Sequence, residues 1–334
     1  MNKLIIALML SFFSLTQSVR GQEDSIKVSL MTCAPGTEIY ALFGHTALRY
    51  EDTARGEDWV FNYGMFSFNT PHFIYRFVKG ETDYELGVTP YSYFEGSYAM
   101  RGSSVYQQTL NLTMAEKQKL RRLLEENYQP ENRVYRYNFF YDNCTTRARD
   151  IIEECIEGKV VYPDGKEGLS FRDIVHQYTK GHEWDELGID MCLGSEADEP
   201  VDARKQMFAP FYMLEAAGKA TIVAGDSVRP FVLQEKKVVD VEPEGGEGGF
   251  PLSPLVCVFV LMGAVCLVGW IQLKVKKVIW IWDLFLFGVQ GLAGCVIAFL
   301  VCFSTHPTVG SNWLILLLNP IPLIYLPVMV YRAI

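Results

Sequence analysis

Tyr141-Asp142-Asn143-Cys144-Thr145-Thr146-Arg147 is the stretch on which the reading of this 334-residue chain turns. Asp142 or Asn143 can cap a helix that begins at Cys144 and runs to about Glu157, where Gly158 ends it. A cysteine in a first turn meets the helix dipole and unpaired amides. Both favour a thiolate, and the same amides can stabilise an oxyanion. A second frame, Phe43-Gly44-His45-Thr46-Ala47-Leu48-Arg49-Tyr50, offers a partner. His45 opens an expected strand, and Gly44 permits close backbone approach. Cysteine with histidine is the minimal equipment for thiol-based acyl transfer. Asn62, in Val60-Phe61-Asn62-Tyr63-Gly64, lies on the strand expected to pair beside the histidine strand. Its amide can hold the imidazole in one tautomer. Each residue also has a plainer reading. Cys144 can be a structural thiol or half of a disulfide, His45 a packed ring, and Asn62 a strand-edge amide.

Around these frames, residues 23–240 read as one α+β domain. Ile26, Val28 and Leu30 alternate on one face of a strand, and Trp59–Tyr63, Asp83–Val88 and Ser104–Leu112 continue the β pattern. Pro71 starts a short helix over 70–79. Thr113 with Glu116 and Ser170 with Asp173 are helix-opening signals. A further helix is expected within 200–218, interrupted by Pro210. Residues 241–251 form an acidic, glycine-rich linker.

Beyond the linker the character changes. Within 252–331, three apolar stretches (252–273, 278–303 and 313–331) are long enough to span a bilayer. Pro320, Pro322 and Pro327 break the third. Lys274, Lys276 and Lys277 follow the first span and Arg332 the third, which places those ends in the cytoplasm. Residues 1–22 read as a secretory signal or retained anchor: Lys3, then an apolar run from Leu4 to Leu15. Both clues put residues 23–240 outside the cytoplasm. The chain is therefore expected to be a multi-pass protein of the bacterial inner membrane with its soluble part facing the periplasm.

A net charge of −9 without a basic block gives no footing for nucleic acid. Eight cysteines occur without CxxC or zinc-like spacing, so neither a metal nor another cofactor is expected. Export permits disulfides, and Cys33–Cys155 and Cys155–Cys192 both remain open. Asp283 sits close to the cytoplasmic end of its span and reads as reaching headgroup water. His306 lies in the polar outer loop 304–313, where a lipid headgroup would meet the soluble part. With Asn143 and Arg49 it completes the candidate substrate contacts.

Gly-His-Thr-Ala-Leu-Arg from Gly44, Phe-Asn-Tyr-Gly from Phe61 and Asn-Phe-Phe-Tyr-Asp-Asn-Cys-Thr-Thr-Arg from Asn138 resemble the Lnb-type lipoprotein N-acyltransferases of diderm bacteria. The resemblance extends to Leu193–Asp198 and the 304–313 loop. It implies a permuted papain-like, NlpC-like domain, with the histidine strand before the cysteine helix, followed by a transmembrane helical bundle. It also implies further spans after Tyr331, whereas this chain ends at Ile334. The implied reaction has two steps: Cys144, activated by His45, takes an acyl chain from a membrane phospholipid as a thioester. The α-amine of a diacylglyceryl-cysteine lipoprotein then accepts it. Two alternatives use the same residues differently. One is a membrane-tethered cysteine peptidase or amidase acting on cell-wall peptides. The other is a non-catalytic binding module on a membrane stalk, with Cys144 in a disulfide.

Overall fold

A computed structural model describes residues 25–241 and 250–333. The leader expected over 1–22 and most of the linker expected over 241–251 lie outside the described residues. Those residues cluster into two compact units. The first is built from 83–166 and the described parts of 1–68 and 202–244. The second comprises 69–82, 167–201 and the described part of 245–334. Segments 69–82 and 167–201, within the 23–240 stretch of the sequence pattern, cluster with the apolar C-terminal region.

The first unit is organised by a seven-stranded antiparallel sheet. Its order is β10 (Val232–Val239), β5 (Val105–Leu110), β1 (Ile26–Cys33), β2 (His45–Asp52), β3 (Glu57–Met65), β4 (Asp83–Pro90), β6 (Val134–Arg136). Strands β7 (Lys159–Val161), β8 (Thr221–Ala224) and β9 (Ser227–Pro230) form a second, small sheet. Period-two alternation sends Ile26, Val28 and Leu30 into a core with Leu48 and Tyr50. Helices α3 (Met114–Asn127), α4 (Cys144–Cys155) and α8 (Pro210–Lys219) complete that core through Leu120, Leu124, Ile152 and Met213. The opposite face is buried too: Met31, Cys33, Ala47 and Val60 pack with Phe94 of α2 (Tyr91–Met100). Burial on both faces explains why alternation fades after Leu30, since every later β1 residue is buried.

Local signals translate directly. Thr113 and Glu116 form a capping box on α3, and Asn143 and Thr146 form one on α4. Pro210 departs from expectation. It does not interrupt a helix but occupies the first turn of α8, where its missing N–H costs nothing. The residues before it form the separate short α7 (Ala203–Gln206).

The second unit contains α1 (Phe73–Lys79), α5 (Phe171–Thr179) and α6 (Glu183–Cys192) with the apolar helices α9 (Pro254–Val275), α10 (Trp280–Phe303) and α11 (Ile321–Ala333). Three segments, 254–275, 280–303 and 313–332, are long and apolar enough to cross a membrane. The third begins as a 3-10 turn, Trp313–Leu316. Regular helix resumes only after Pro320, with Pro322 in its first turn and Pro327 inside it. The polar loop after α10 is stitched to the turn after α6. Gly194 N–H donates to Thr308 O at 2.6 Å, and Asn312 Nδ2 donates to Met191 O at 2.8 Å.

Candidate active site

Strand β2 has Ala47 on the α2 side of the sheet, so His45 and Arg49, two residues either way, share that side. On β3 the same rule places Asn62 with Val60. The β2–β3 pairing thus sets His45 and Asn62 on one surface. His45 Nε2 and Asn62 Oδ1 are 3.3 Å apart. Asn62 Nδ2 turns to two acceptors, Thr89 Oγ1 at 3.4 Å and Val60 O at 3.5 Å, which leaves its oxygen for the imidazole.

Cys144 arrives from α4, the helix packed on β2 and β3. Thr46 Oγ1 and Thr145 Oγ1 lie 3.0 Å apart and join the residues beside His45 and Cys144. The thiol sulfur lies 3.8 Å from Thr145 Oγ1, and the thiol and the His45 imidazole are near enough for each to shift the other's titration. With Nε2 facing Asn62, Nδ1 is the ring nitrogen left for sulfur. Two glycines permit the approach. A Cβ on Gly44 would lie 2.4 Å from Cys33 O, and Gly64 (φ +94°) leaves room beside the Cys144 Cβ.

The electrostatics follow from this pairing. Burial alone would push the Cys144 thiol up, but the charge and hydrogen bond of His45 hold it below the ordinary thiol value. Burial opposes the His45 cation, yet the Cys144 charge and the bonds to Cys144 and Asn62 raise its pKa. Arg101 works the other way on His45. No other soluble thiol has this environment: burial raises Cys33, Cys155 and Cys192. All eight cysteines are free, so neither disulfide pairing left open by the sequence is formed here.

A cleft of about 510 Å³ opens onto His45, Asn62 and Gly64. Tyr40, Phe66, Tyr93, Phe94 and Tyr98 stand in its walls among smaller residues, and Arg101 is the one guanidinium there. Such a lining suits an apolar chain with an anionic end.

The other expected substrate contacts are placed differently. Asn143 is buried and fully engaged. Its oxygen accepts from Thr145 N–H (2.8 Å) and Thr146 N–H (2.9 Å), and its amide donates to Phe139 O and Phe208 O (both 2.9 Å). It positions Cys144 and has no group left for a ligand. The same bonds correct a second expectation, because those two first-turn amides are not available to an oxyanion. The N–H of Cys144 itself, at the first helical position, has no intrahelical partner. Arg49 is buried in a bidentate pair with Asp58 (2.8 Å twice), bonded to Gln107 (3.1 Å) and stacked over Tyr91 (3.4 Å). It braces the sheet and does not line the cleft. His306 belongs to the second unit, where its Nε2 meets Phe77 O at 2.6 Å.

Sequence reasoning missed Tyr135. Its side chain is buried, and its hydroxyl has no hydrogen-bond partner among the described residues. It lies 3.9 Å from the point where a Gly64 Cβ would sit, and the Cys144 Cβ is 3.6 Å from that point. An aromatic-rich approach to Cys144 was the sole sequence signal. No group of His, Cys, Asp or Glu side chains that could hold a metal ion occurs among the described residues.

Fold and apolar helices define a membrane protein with a mixed α/β extracytoplasmic part. The chain belongs to the Lnb family: residues 17–180 match the Lnb N-terminal periplasmic domain and residues 246–334 the Lnb transmembrane domain. Neither a curated protein nor a solved structure matches it.

Proposed function

We propose that this protein is a thiol-dependent lipoprotein N-acyltransferase of the inner membrane, with a permuted papain-like catalytic domain in the periplasm. The observation that carries the reading is the Cys144–His45–Asn62 constellation in a chain of the Lnb family. Cys144 is the nucleophile, His45 the general base and acid, and Asn62 the residue that orients the imidazole. The histidine strand β2 precedes the cysteine helix α4 in the chain, as a permuted papain-like order requires.

In the first step the Cys144 thiolate attacks an ester carbonyl of a membrane phospholipid. A C–S bond forms, the ester C–O bond breaks, and the lysophospholipid alkoxide leaves with the proton from His45. In the second step the α-amine of a diacylglyceryl-cysteine lipoprotein attacks the thioester. The amide C–N bond forms, His45 takes the amine proton, and Cys144 is released. Both tetrahedral intermediates carry an oxyanion. The Cys144 N–H and the Tyr135 hydroxyl are the donors proposed for it. The aromatic cleft beside His45 takes the acyl chain. Both substrates are anchored in the bilayer, which suits an enzyme with membrane-spanning helices.

Transfer of a labelled acyl chain from phospholipid to a diacylated lipopeptide tests the reading. Cys144→Ser and His45→Ala should each abolish N-acylation. Full N-acylation by either variant would sink the assignment.

A further inference from the structure

Helix α1 in the second unit leaves three large apolar side chains uncovered within four residues. Ile74 is 78 %, Tyr75 55 % and Phe77 46 % exposed. In water such a cluster on a short helix is a liability without return. Nevertheless α1 is firmly held. Gly80 N–H caps the helix on Phe77 O at 3.0 Å, and the chain just after α10 adds further bonds to the last carbonyls. Ser304 Oγ donates to Val78 O at 2.9 Å, Thr305 N–H to Lys79 O at 2.9 Å, and His306 Nε2 to Phe77 O at 2.6 Å. The two basic residues turn toward Glu81: Arg76 Nε donates to its carbonyl at 3.2 Å, and Lys79 pairs with its carboxylate at 2.6 Å.

These bonds fix α1 at the outer end of a membrane-length helix. The Tyr75 ring lies 5.8 Å from the ring of Phe299. Phe299 precedes Phe303, the last residue of α10, by four positions, or about 6 Å at 1.5 Å per residue. An interfacial helix buries its apolar face by about 5–10 Å, so the depth agrees. A second marker sits at the outer end of the neighbouring span. Trp184 Nε1 on α6 donates to Leu252 O at 2.8 Å, just before α9, and its ring meets Phe250 edge-on at 5.8 Å. Half-exposed indoles of this kind favour the headgroup level.

We infer that α1 is an interfacial helix whose Ile74, Tyr75 and Phe77 insert among the lipids of the periplasmic leaflet beside the outer end of α10. The apolar surface of α10 then continues into α1, and the lipid that covers one covers both. This inference stands independently of the reaction proposed above.

The test uses the full chain, one copy per nanodisc, in phosphatidylethanolamine and phosphatidylglycerol. A fraction of the lipid carries a diazirine in the upper half of an acyl chain. After photolysis, peptide mass spectrometry should find lipid adducts on 73–79 as well as on α9 and α10. Ile74→Gln with Phe77→Gln should remove most adducts on 73–79 and leave those on the spans and the thermal unfolding unchanged. Adducts on α9 and α10 with none on 73–79 would overturn the inference.

Discussion

His45 Nε2 faces Asn62 Oδ1 at 3.3 Å across the β2–β3 pair. A carbonyl oxygen only accepts, so a proton on Nε2 faces Asn62 and Nδ1 is the nitrogen left to exchange a proton with Cys144. The Asn62 amide is itself fixed by Thr89 and Val60. Asn62→Ala should therefore lower the rate of acyl-enzyme formation by about tenfold to a hundredfold, part of the roughly 10²–10⁴ available from acid–base catalysis. Substrate KM should hardly move. Single-turnover acylation measures this, and an unchanged rate would remove Asn62 from the mechanism.

The charge coupling of Cys144 and His45 sets a pH window. The thiolate is lost as pH falls through a Cys144 pKa lying below the ordinary thiol value. The imidazolium that protonates the leaving group is lost as pH rises through a His45 pKa lying above the ordinary imidazole value. Turnover should be bell-shaped between those limits. Alkylation of Cys144 by iodoacetamide should follow the acid limb alone. In His45→Ala that limb should move to higher pH, because burial then acts on the thiol without the imidazole to offset it. A limb that stays in place would show that His45 does not set the ionisation.

Tyr135→Phe separates catalysis from stability. The hydroxyl is buried and has no partner among the described residues, so its removal should leave the unfolding temperature level or raise it. As an oxyanion donor its loss should cut the acylation rate by about 10²–10³-fold. A stable variant of full activity would place the donor elsewhere.

Arg49→Met should have the opposite signature. Asp58 would be left without its bidentate partner, at a cost of roughly 3 kcal/mol where such a pair is buried, and less here because Asp58 is partly open to solvent. Thermal unfolding should fall clearly, with the KM for phospholipid unchanged in the folded fraction. A raised KM with unchanged stability would return Arg49 to the substrate.

What could be read beforehand follows the range of each interaction. The capping box of Thr113 and Glu116 spans three residues and declares itself in the sequence. The His45–Asn62 pair was legible because a short hairpin sets neighbouring strands side by side. The partners of Arg49 were not legible, because they are Asp58 across that hairpin and Tyr91 from α2. Asn143 looked free for substrate because one of its acceptors, Phe208 O, comes from a distant part of the chain. The attachment of α1 to residues 304–306 has no local signal at all: polar side chains in a loop do not announce which carbonyls they will bind.

The most direct measurement is the intact mass of the detergent-solubilised protein after incubation with a phospholipid of defined acyl chains. One acyl group is expected on Cys144, labile to hydroxylamine, formed with an equivalent of lysophospholipid. A diacylglyceryl-cysteine peptide should discharge it and gain the same chain in amide linkage. N-acylation that proceeds in Cys144→Ala, or a wild-type protein that transfers the chain without ever carrying it, would rule out a Cys144 thioester.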